Sequence, residues 1–169
     1  VLLMASGQSG TRLADGKSRG KFEQALREVC QSLADQIVAD GEGVKHVIRL
    51  NIEQAKNRNE ALKIAKTIAH SLLVKTAWAG ADSNWGRILA AAGRSGVRLD
   101  PGKINIFIGD QMVCRSGVGC AFDKSKAHQD LTQPRCDMRV QLGRGRGAVV
   151  FLTTDLTDEY VRINADYST

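Results

Sequence analysis

The chain has 169 residues, of which 43% are hydrophobic and 25% charged, and its formal net charge is +6. This length suits one domain with a substantial core, so we expect a single domain over residues 1–169. No apolar run is long enough to cross a bilayer, and the sequence therefore predicts no transmembrane segment. The positive charge permits an anionic partner without identifying one.

The first twenty residues carry little periodic pattern. Residues 1–5 are apolar and enter a glycine-rich turn, which predicts a strand, and residues 6–20 are polar and glycine-rich, as in an exposed loop. A chain that starts in mid-strand without an initiator methionine is expected to be a fragment, either processed from a longer precursor or lacking residues ahead of Val1.

Helical spacing of apolar residues recurs in four segments. Spacings of three and four predict helices over residues 21–40, 59–72, 84–94 and 123–131. The first of these has one apolar stripe, which we expect to be buried, and it ends at Gly41. Asp82 or Ser83 is expected to cap the third.

Alternating or short apolar runs predict strands over residues 44–53, 74–79, 103–109, 111–114, 136–142 and 148–154. The third and fourth are expected to pair as a hairpin, and Gly143-Arg-Gly-Arg-Gly147 is expected to join the last two in another. With five to seven strands and three or four helices, the fold class is α/β, with mixed sheets, helices packed on them and at least one antiparallel hairpin.

The C-terminal residues 155–169 interleave large apolar side chains with polar ones, unlike a disordered tail. We expect this segment to pack as a last helix or strand that closes the core. The alternative is that it lines a pocket.

Several potential site patterns are weak. The four cysteines lack CxxC spacing and the three histidines are isolated, so the sequence predicts free thiols and no metal site. The loop of residues 143–147 resembles an arginine-glycine patch that holds RNA phosphates, but solvated arginines in a hairpin are favoured because stacking aromatics are scarce. Glu42, between two glycines, can pair with an ammonium group or simply face solvent, and both interpretations stay open.

Six stretches together resemble one family, the β chain of ornithine acetyltransferase, also called bifunctional glutamate N-acetyltransferase. They run in order through the whole chain: Val1-Leu-Leu-Met-Ala-Ser-Gly, Asp40-Gly-Glu-Gly43, Val74-Lys-Thr-Ala, Asp82-Ser-Asn-Trp-Gly-Arg-Ile-Leu-Ala-Ala, Ile106-Phe-Ile-Gly-Asp, and Asp155-Leu-Thr with Tyr160-Val-Arg-Ile-Asn-Ala-Asp-Tyr. The Asn-Trp-Gly-Arg and Asn-Ala-Asp-Tyr motifs are the most specific.

The resemblance implies a cytoplasmic enzyme of arginine biosynthesis that cleaves itself ahead of a threonine. That threonine takes the acetyl group of N-acetylornithine as an ester and passes it to glutamate. It is expected just before Val1, so no catalytic residue lies in this chain. The expected assembly is an α2β2 heterotetramer with the α chain, without a cofactor, although bifunctional members also use acetyl-CoA as a co-substrate. A basic nucleic-acid-binding domain is the alternative function.

The family's substrate-binding residues correspond here to Glu42, Asn164 and Thr169. Glu42 is expected to pair with a substrate ammonium, while Asn164 and Thr169 orient polar groups of the amino acid. The two ends of the chain would then meet at the active site. The family commonly continues Gly-Glu-Gly with Ala-Thr-Lys and often has Glu-Asp-Pro before Asn-Trp-Gly. This chain has Val44-Lys45-His46 and Ala81-Asp82-Ser83 there, which leaves the roles of Lys45 and His46 open.

Overall fold

The structure is a computed structural model that describes residues 2–167. The chain divides into two compact units, Val1–Ile37 and Val38–Thr169. The expectation of a single domain over residues 1–169 stays a prediction.

The first unit contains most of one long helix. Helix α1 spans Gly16–Ala39, and the Asp15 carboxylate accepts a hydrogen bond from the Ser18 amide at 2.7 Å where it begins. The predicted helix is confirmed. The prediction that its apolar stripe is buried is wrong, because none of its side chains is buried. Residues 2–5 form no strand, because no strand of residues 2–167 pairs with their backbone.

The second unit is a six-stranded mixed sheet with helices. Its strands are β1 Val47–Ala55, β2 Asn105–Ile108, β3 Gln111–Arg115, β4 Val118–Gly119, β5 Arg135–Gln141 and β6 Gly147–Thr154, in the spatial order β4-β3-β2-β5-β1-β6. Its helices are α2 Arg58–Ala69, α3 Leu72–Ala79, α4 Trp85–Gly93, α5 Lys124–Leu131 and α6 Asp158–Asp166, with a 3-10 turn at Pro101–Lys103. The α/β class is confirmed, and β2 and β3 form the predicted hairpin.

The core lies on one face of this sheet. Ile48, Leu50 and Ile52 of β1 are fully buried on that face and belong to the same apolar cluster as residues of α2, α3, α4 and α5. The intervening residues of β1 and β5 are polar, and Arg49 pairs with Asp137 across the two strands at 3.4 Å. The alternation predicted for β1 therefore separates a covered apolar face from a polar one.

The segment predicted as a strand at residues 74–79 is helical. It belongs to α3, where Val74, Ala77 and Trp78 are buried. Spacings of three and four place these residues on one face of a helix, whereas a strand would have divided them between two faces. A six-residue apolar run does not distinguish the two structures by itself.

The predicted hairpin between β5 and β6 is also wrong, because β1 lies between them. Strand β1 pairs in parallel with β5 and antiparallel with β6. The loop at residues 143–147 instead crosses the end of β1, where the amides of Arg144 and Gly145 donate to the Gln54 carbonyl at 2.8 and 3.0 Å. At Gly147 a side chain would collide with the backbone of Asn57, so the crossing requires glycine there.

One arginine of this loop is bound within the fold. The Arg144 guanidinium donates from Nε to Glu60 Oε1 at 2.8 Å and from Nη2 to Glu60 Oε2 at 3.4 Å. The Glu60 side chain is only 12% exposed. Hydrogen bonding from Arg144 holds the pKa of Glu60 below its ordinary value, and burial of the carboxylate opposes this shift. Arg144 thus ties the loop to the start of α2.

We expect Arg144→Met to destabilise the chain near neutral pH and to have little effect in acid. A carboxylate whose pKa is lowered by folding adds stability above its unfolded pKa, and this stability is lost as pH falls through the folded pKa. The melting temperatures of the variant and the native chain should therefore differ at about pH 7 and converge as the pH falls through the folded pKa of Glu60. Arg146→Met is the control, since Arg146 forms no ion pair among residues 2–167; equal effects of both changes at neutral pH would contradict the Glu60 assignment.

Candidate functional site

The candidate site begins at the turn that precedes β1. Gly43 has a φ of +64°, and a Cβ built on it would lie 2.5 Å from the Tyr160 amide nitrogen of α6. The left-handed conformation and the close approach both favour glycine. The backbone of α6 is therefore packed directly against the backbone of the turn that carries Glu42.

A single threonine hydroxyl joins this turn to the helix. Thr157 Oγ1 donates to the Gly43 carbonyl at 2.6 Å and accepts the Tyr160 amide at 3.2 Å. The second contact is the N-cap of α6, which satisfies one of the free amides of its first turn. Because Thr157 is 4% exposed, the hydroxyl is shielded from competing water.

The structure brings together two of the three predicted site residues. Asn164 Nδ2 donates to Glu42 Oε2 at 2.9 Å, although the residues are 122 positions apart, and it also donates to the Tyr160 carbonyl of its own helix. Both side chains are exposed. Thr169 and Val1 lie outside the described residues, so the meeting of the two chain ends stays a prediction.

The Glu42–Asn164 pair exposes a carboxylate oxygen that can accept a hydrogen bond from a ligand. Glu42 receives a hydrogen bond on Oε2, while its Oε1 receives none from residues 2–167. The amide of Asn164 orients the carboxylate without neutralising its charge. An exposed carboxylate held in this way suits a ligand with an ammonium group.

A buried polar cluster that the sequence does not predict contacts the segment that follows Glu42. Asp155 is 3% exposed; its Oδ1 accepts the Lys45 amide at 3.2 Å, and its Oδ2 has no hydrogen-bond partner in the described chain. Lys75 of α3 donates to the carbonyl and the hydroxyl of Thr154, the preceding residue. Burial lowers the pKa of Lys75, and the nearby Asp155 carboxylate opposes this effect. The only sequence signal was a lysine within the apolar Val74-Lys-Thr-Ala motif.

The structure also tests the predictions for the C-terminal segment and for the cap of α4. The C-terminal segment does form a helix, but none of the side chains of α6 is buried and Tyr160, Val161 and Tyr167 are exposed, so the expected closure of the core by this segment is wrong. The side chain of Asn84 caps α4 by accepting the Arg87 amide at 3.2 Å. The predicted caps do not take this role, because Asp82 lies two residues and Ser83 one residue before the cap position Asn84.

Concave surface lies elsewhere on this unit. One cleft of about 490 Å³ lies between α3 and α4 beside Arg87 and Arg94, and another of about 390 Å³ lies on the polar face of the sheet beside Asp137 and Arg139. Neither is lined by Glu42 or Asn164. We favour the Glu42–Asn164 pair as the candidate site because the family resemblance and the contact geometry coincide there, whereas cleft size alone says nothing about chemistry.

Residues 2–167 contain neither a metal-binding cluster nor a membrane-spanning helix. No group of three or more histidine, cysteine or acidic side chains is arranged to hold a metal ion. None of the helices in this range has the length and apolar character needed to cross a membrane.

The model of the ArgJ family matches residues 1–169. The chain belongs to the ArgJ family. It is 43% identical over its whole length to the arginine biosynthesis bifunctional protein ArgJ of Parasynechococcus marenigrum, and 40% identical to the protein of that name from Dehalococcoides mccartyi. It covers 40% and 42% of those two proteins, so it spans about two fifths of the length of the curated relatives it matches.

A solved structure supports the same assignment. The crystal structure of the arginine biosynthesis bifunctional protein ArgJ from Bacillus halodurans superposes with a TM-score of 0.91 at 37% identity, over 98% of this chain and 79% of that one. Membership of the ArgJ family confirms the resemblance indicated by the motifs, and the structural match confirms the fold class. These matches give no support to the nucleic-acid-binding alternative. In the loop expected to bind RNA under that alternative, Arg144 is paired with Glu60.

We expect Gly43→Ala to detach α6 from the turn. The substitution places Cβ 2.5 Å from the Tyr160 amide and forces a left-handed backbone on alanine, which alone costs about 1–2 kcal/mol. Amide hydrogen exchange should accelerate in α6 and in residues 40–46. Gly93→Ala is the matched control, because nothing lies within 4 Å of its added Cβ. Unchanged amide protection of α6 in Gly43→Ala would contradict the packing of α6 against the Gly43 turn.

Proposed function

We propose that this chain is the β part of an ornithine acetyltransferase, which moves an acetyl group from N-acetylornithine to glutamate in the cytoplasm. The observation that carries the proposal is the hydrogen bond from Asn164 to Glu42 at 2.9 Å. It joins the two motifs, Gly-Glu-Gly and Asn-Ala-Asp-Tyr, in which the family resemblance locates substrate binding. The names of the curated relatives support the same activity class.

The proposed reaction has two acyl transfers through a threonine that precedes this chain. The threonine hydroxyl attacks the acetyl carbonyl of N-acetylornithine, its proton passes to a base, and the amine of ornithine leaves after accepting a proton. The freed α-amine of the threonine is the base that self-cleavage would provide. The amine of glutamate then attacks the acetyl ester, which forms N-acetylglutamate and restores the hydroxyl.

Substrate binding is the contribution of this chain. The Glu42 carboxylate would pair with the ammonium group of the amino-acid substrate through Oε1, while Asn164 holds the carboxylate through Oε2. Thr169 and Asn164 would orient polar groups of the same substrate. Donors for the tetrahedral oxyanion would come from the α chain, which is the proposed partner in an α2β2 assembly. In a bifunctional member, acetyl-CoA would serve as a second acetyl donor.

We expect the complete natural protein, incubated with N-acetylornithine alone, to gain one acetyl group on a threonine that precedes this chain. A double-displacement scheme accumulates the ester when no acceptor is present. Intact mass followed by peptide mapping would locate the adduct, and adding glutamate should remove it. A folded protein that shows no adduct, or an adduct that glutamate does not remove, would refute the proposed reaction.

We expect Glu42→Gln to weaken substrate binding while the fold is retained. Glutamine is the same size and still accepts the Asn164 amide, so the change removes the charge alone. Loss of one charge-assisted contact predicts a rise in KM of about tenfold. Glu159→Gln is the control on α6, because within residues 2–167 Glu159 pairs only with the exposed Arg162. Equal KM values in the Glu42 variant and the native enzyme would remove Glu42 from the site.

A further inference from the structure

The position of α6 depends on the residues that connect it to β6. Strand β6 ends at Thr154, and only three residues separate it from α6. The Asp155 amide donates to the His46 carbonyl at 3.1 Å, and the Asp155 carboxylate accepts the Lys45 amide. The connection is therefore bonded to the same short segment, residues 43–46, that follows Glu42.

Helix α3 holds this connection from the other side. The Leu156 amide donates to the Lys75 carbonyl at 3.2 Å, and Lys75 Nζ donates to both oxygens of Thr154. One residue of α3 thus binds residues on both sides of Asp155. Other lysines of this unit, such as Lys63 and Lys66, are exposed on α2, so Lys75 differs from them in lying half-buried against a strand end.

The charge environment explains why a lysine is needed there. Asp155 is almost completely buried, and its Oδ2 has no hydrogen-bond partner in the described chain. A buried carboxylate without compensation is costly. Lys75 is the cation that faces it from α3 and attracts it electrostatically, although no atoms of the two form an ion pair within 4 Å. The main-chain hydrogen bonds of Lys45 and Lys75 fix the segment, and the ammonium group balances its charge.

We infer that Lys75, together with Asp155, is a positioning residue that sets the substrate-binding geometry of Glu42 and Asn164. The inference rests on the proposed function for its kinetic consequence. Lys75 touches neither Glu42 nor Asn164. It acts through Thr154 and Asp155 on the start of α6, and the Thr157 cap and the Gly43 turn carry the constraint to the pair. Displacement of α6 would separate Asn164 Nδ2 from Glu42 Oε2.

The first test compares Lys75→Met with Lys63→Met in the complete natural protein. Methionine keeps the length and apolar stem of lysine but removes its donors and charge. We expect KM for N-acetylornithine and for glutamate to rise together by about tenfold, with kcat changed less than about twofold, because the nucleophile lies outside this chain. Lys63→Met should leave both constants unchanged, and Lys75→Arg should recover most of the lost binding.

The second test does not depend on activity. Amide hydrogen exchange in Lys75→Met should accelerate in α6 and residues 40–46 while the amides of β1 and α2 keep their protection. Thr154→Val, which removes only the hydroxyl acceptor at 3.1 Å from Lys75 Nζ, should give a smaller change in the same segments. It also serves as the second variant if Lys75→Met does not fold.

The outcomes separate the two proposals. Faster exchange throughout the sheet, or unchanged exchange in α6 with unchanged KM, would overturn the positioning role. If the native protein transfers no acetyl group while exchange still changes only in α6 and residues 40–46, then the proposed function fails and the mechanical role of Lys75 stands. If KM rises but Lys75→Arg recovers nothing and kcat falls equally, Lys75 is not a positioning residue.

Discussion

The antiparallel pairing of β1 with β6 fixes where the candidate site forms. Val47, at the start of β1, lies opposite Thr154, at the end of β6. The residues just before β1 must therefore meet the residues just after β6, whatever their side chains. Glu42 lies in the first group and Asn164 in the second, so a contact between residues 122 positions apart follows from one strand register.

That register is determined by burial on the helical face of the sheet. Ile48, Leu50 and Ile52 alternate with polar residues, and a slip of one residue would place Arg49 in the apolar cluster. The parallel pairing with β5 adds the same constraint, since Leu50 lies beside the buried Met138. Core packing on the helical face therefore helps to position a polar pair whose two side chains are both exposed. The hydrogen bonds of Thr157 and Asp155 then define the distance within the pair.

Local sequence patterns predicted the elements whose apolar residues repeat over many positions. Strand β1 and helices α2 and α4 were found in this way, because one covered face imposes a period on the sequence. For α3 the sequence pattern predicts a strand instead, because its apolar run is too short to show a period. The order of the strands was also missed at β5 and β6, because local alternation does not show which strand inserts between two neighbours.

At the candidate site, the resemblance identifies two of the residues, whereas two others become apparent only in the structure. Glu42 and Asn164 were identified from a family resemblance, since an exposed glutamate and an exposed asparagine have no pattern of their own. Lys75 and Asp155 were missed because their importance depends on burial. Lysine and aspartate are charged residues that sequence alone assigns to the surface, and only the tertiary structure shows that the carboxylate is enclosed and faces an ammonium group.

The exposure of Glu42 and Asn164 to solvent also has a physical reason. A carboxylate that binds and releases an ammonium group is best kept hydrated between turnovers, because removing it from water without compensation is costly. In this unit the charge needed for binding lies on the exposed Glu42, while the charge needed for position lies on the buried Asp155. Helix α6 is hydrogen-bonded to the Glu42 turn at two points, through Asn164 to Glu42 and through Thr157 to Gly43, and Asp155 accepts the Lys45 amide of the same segment.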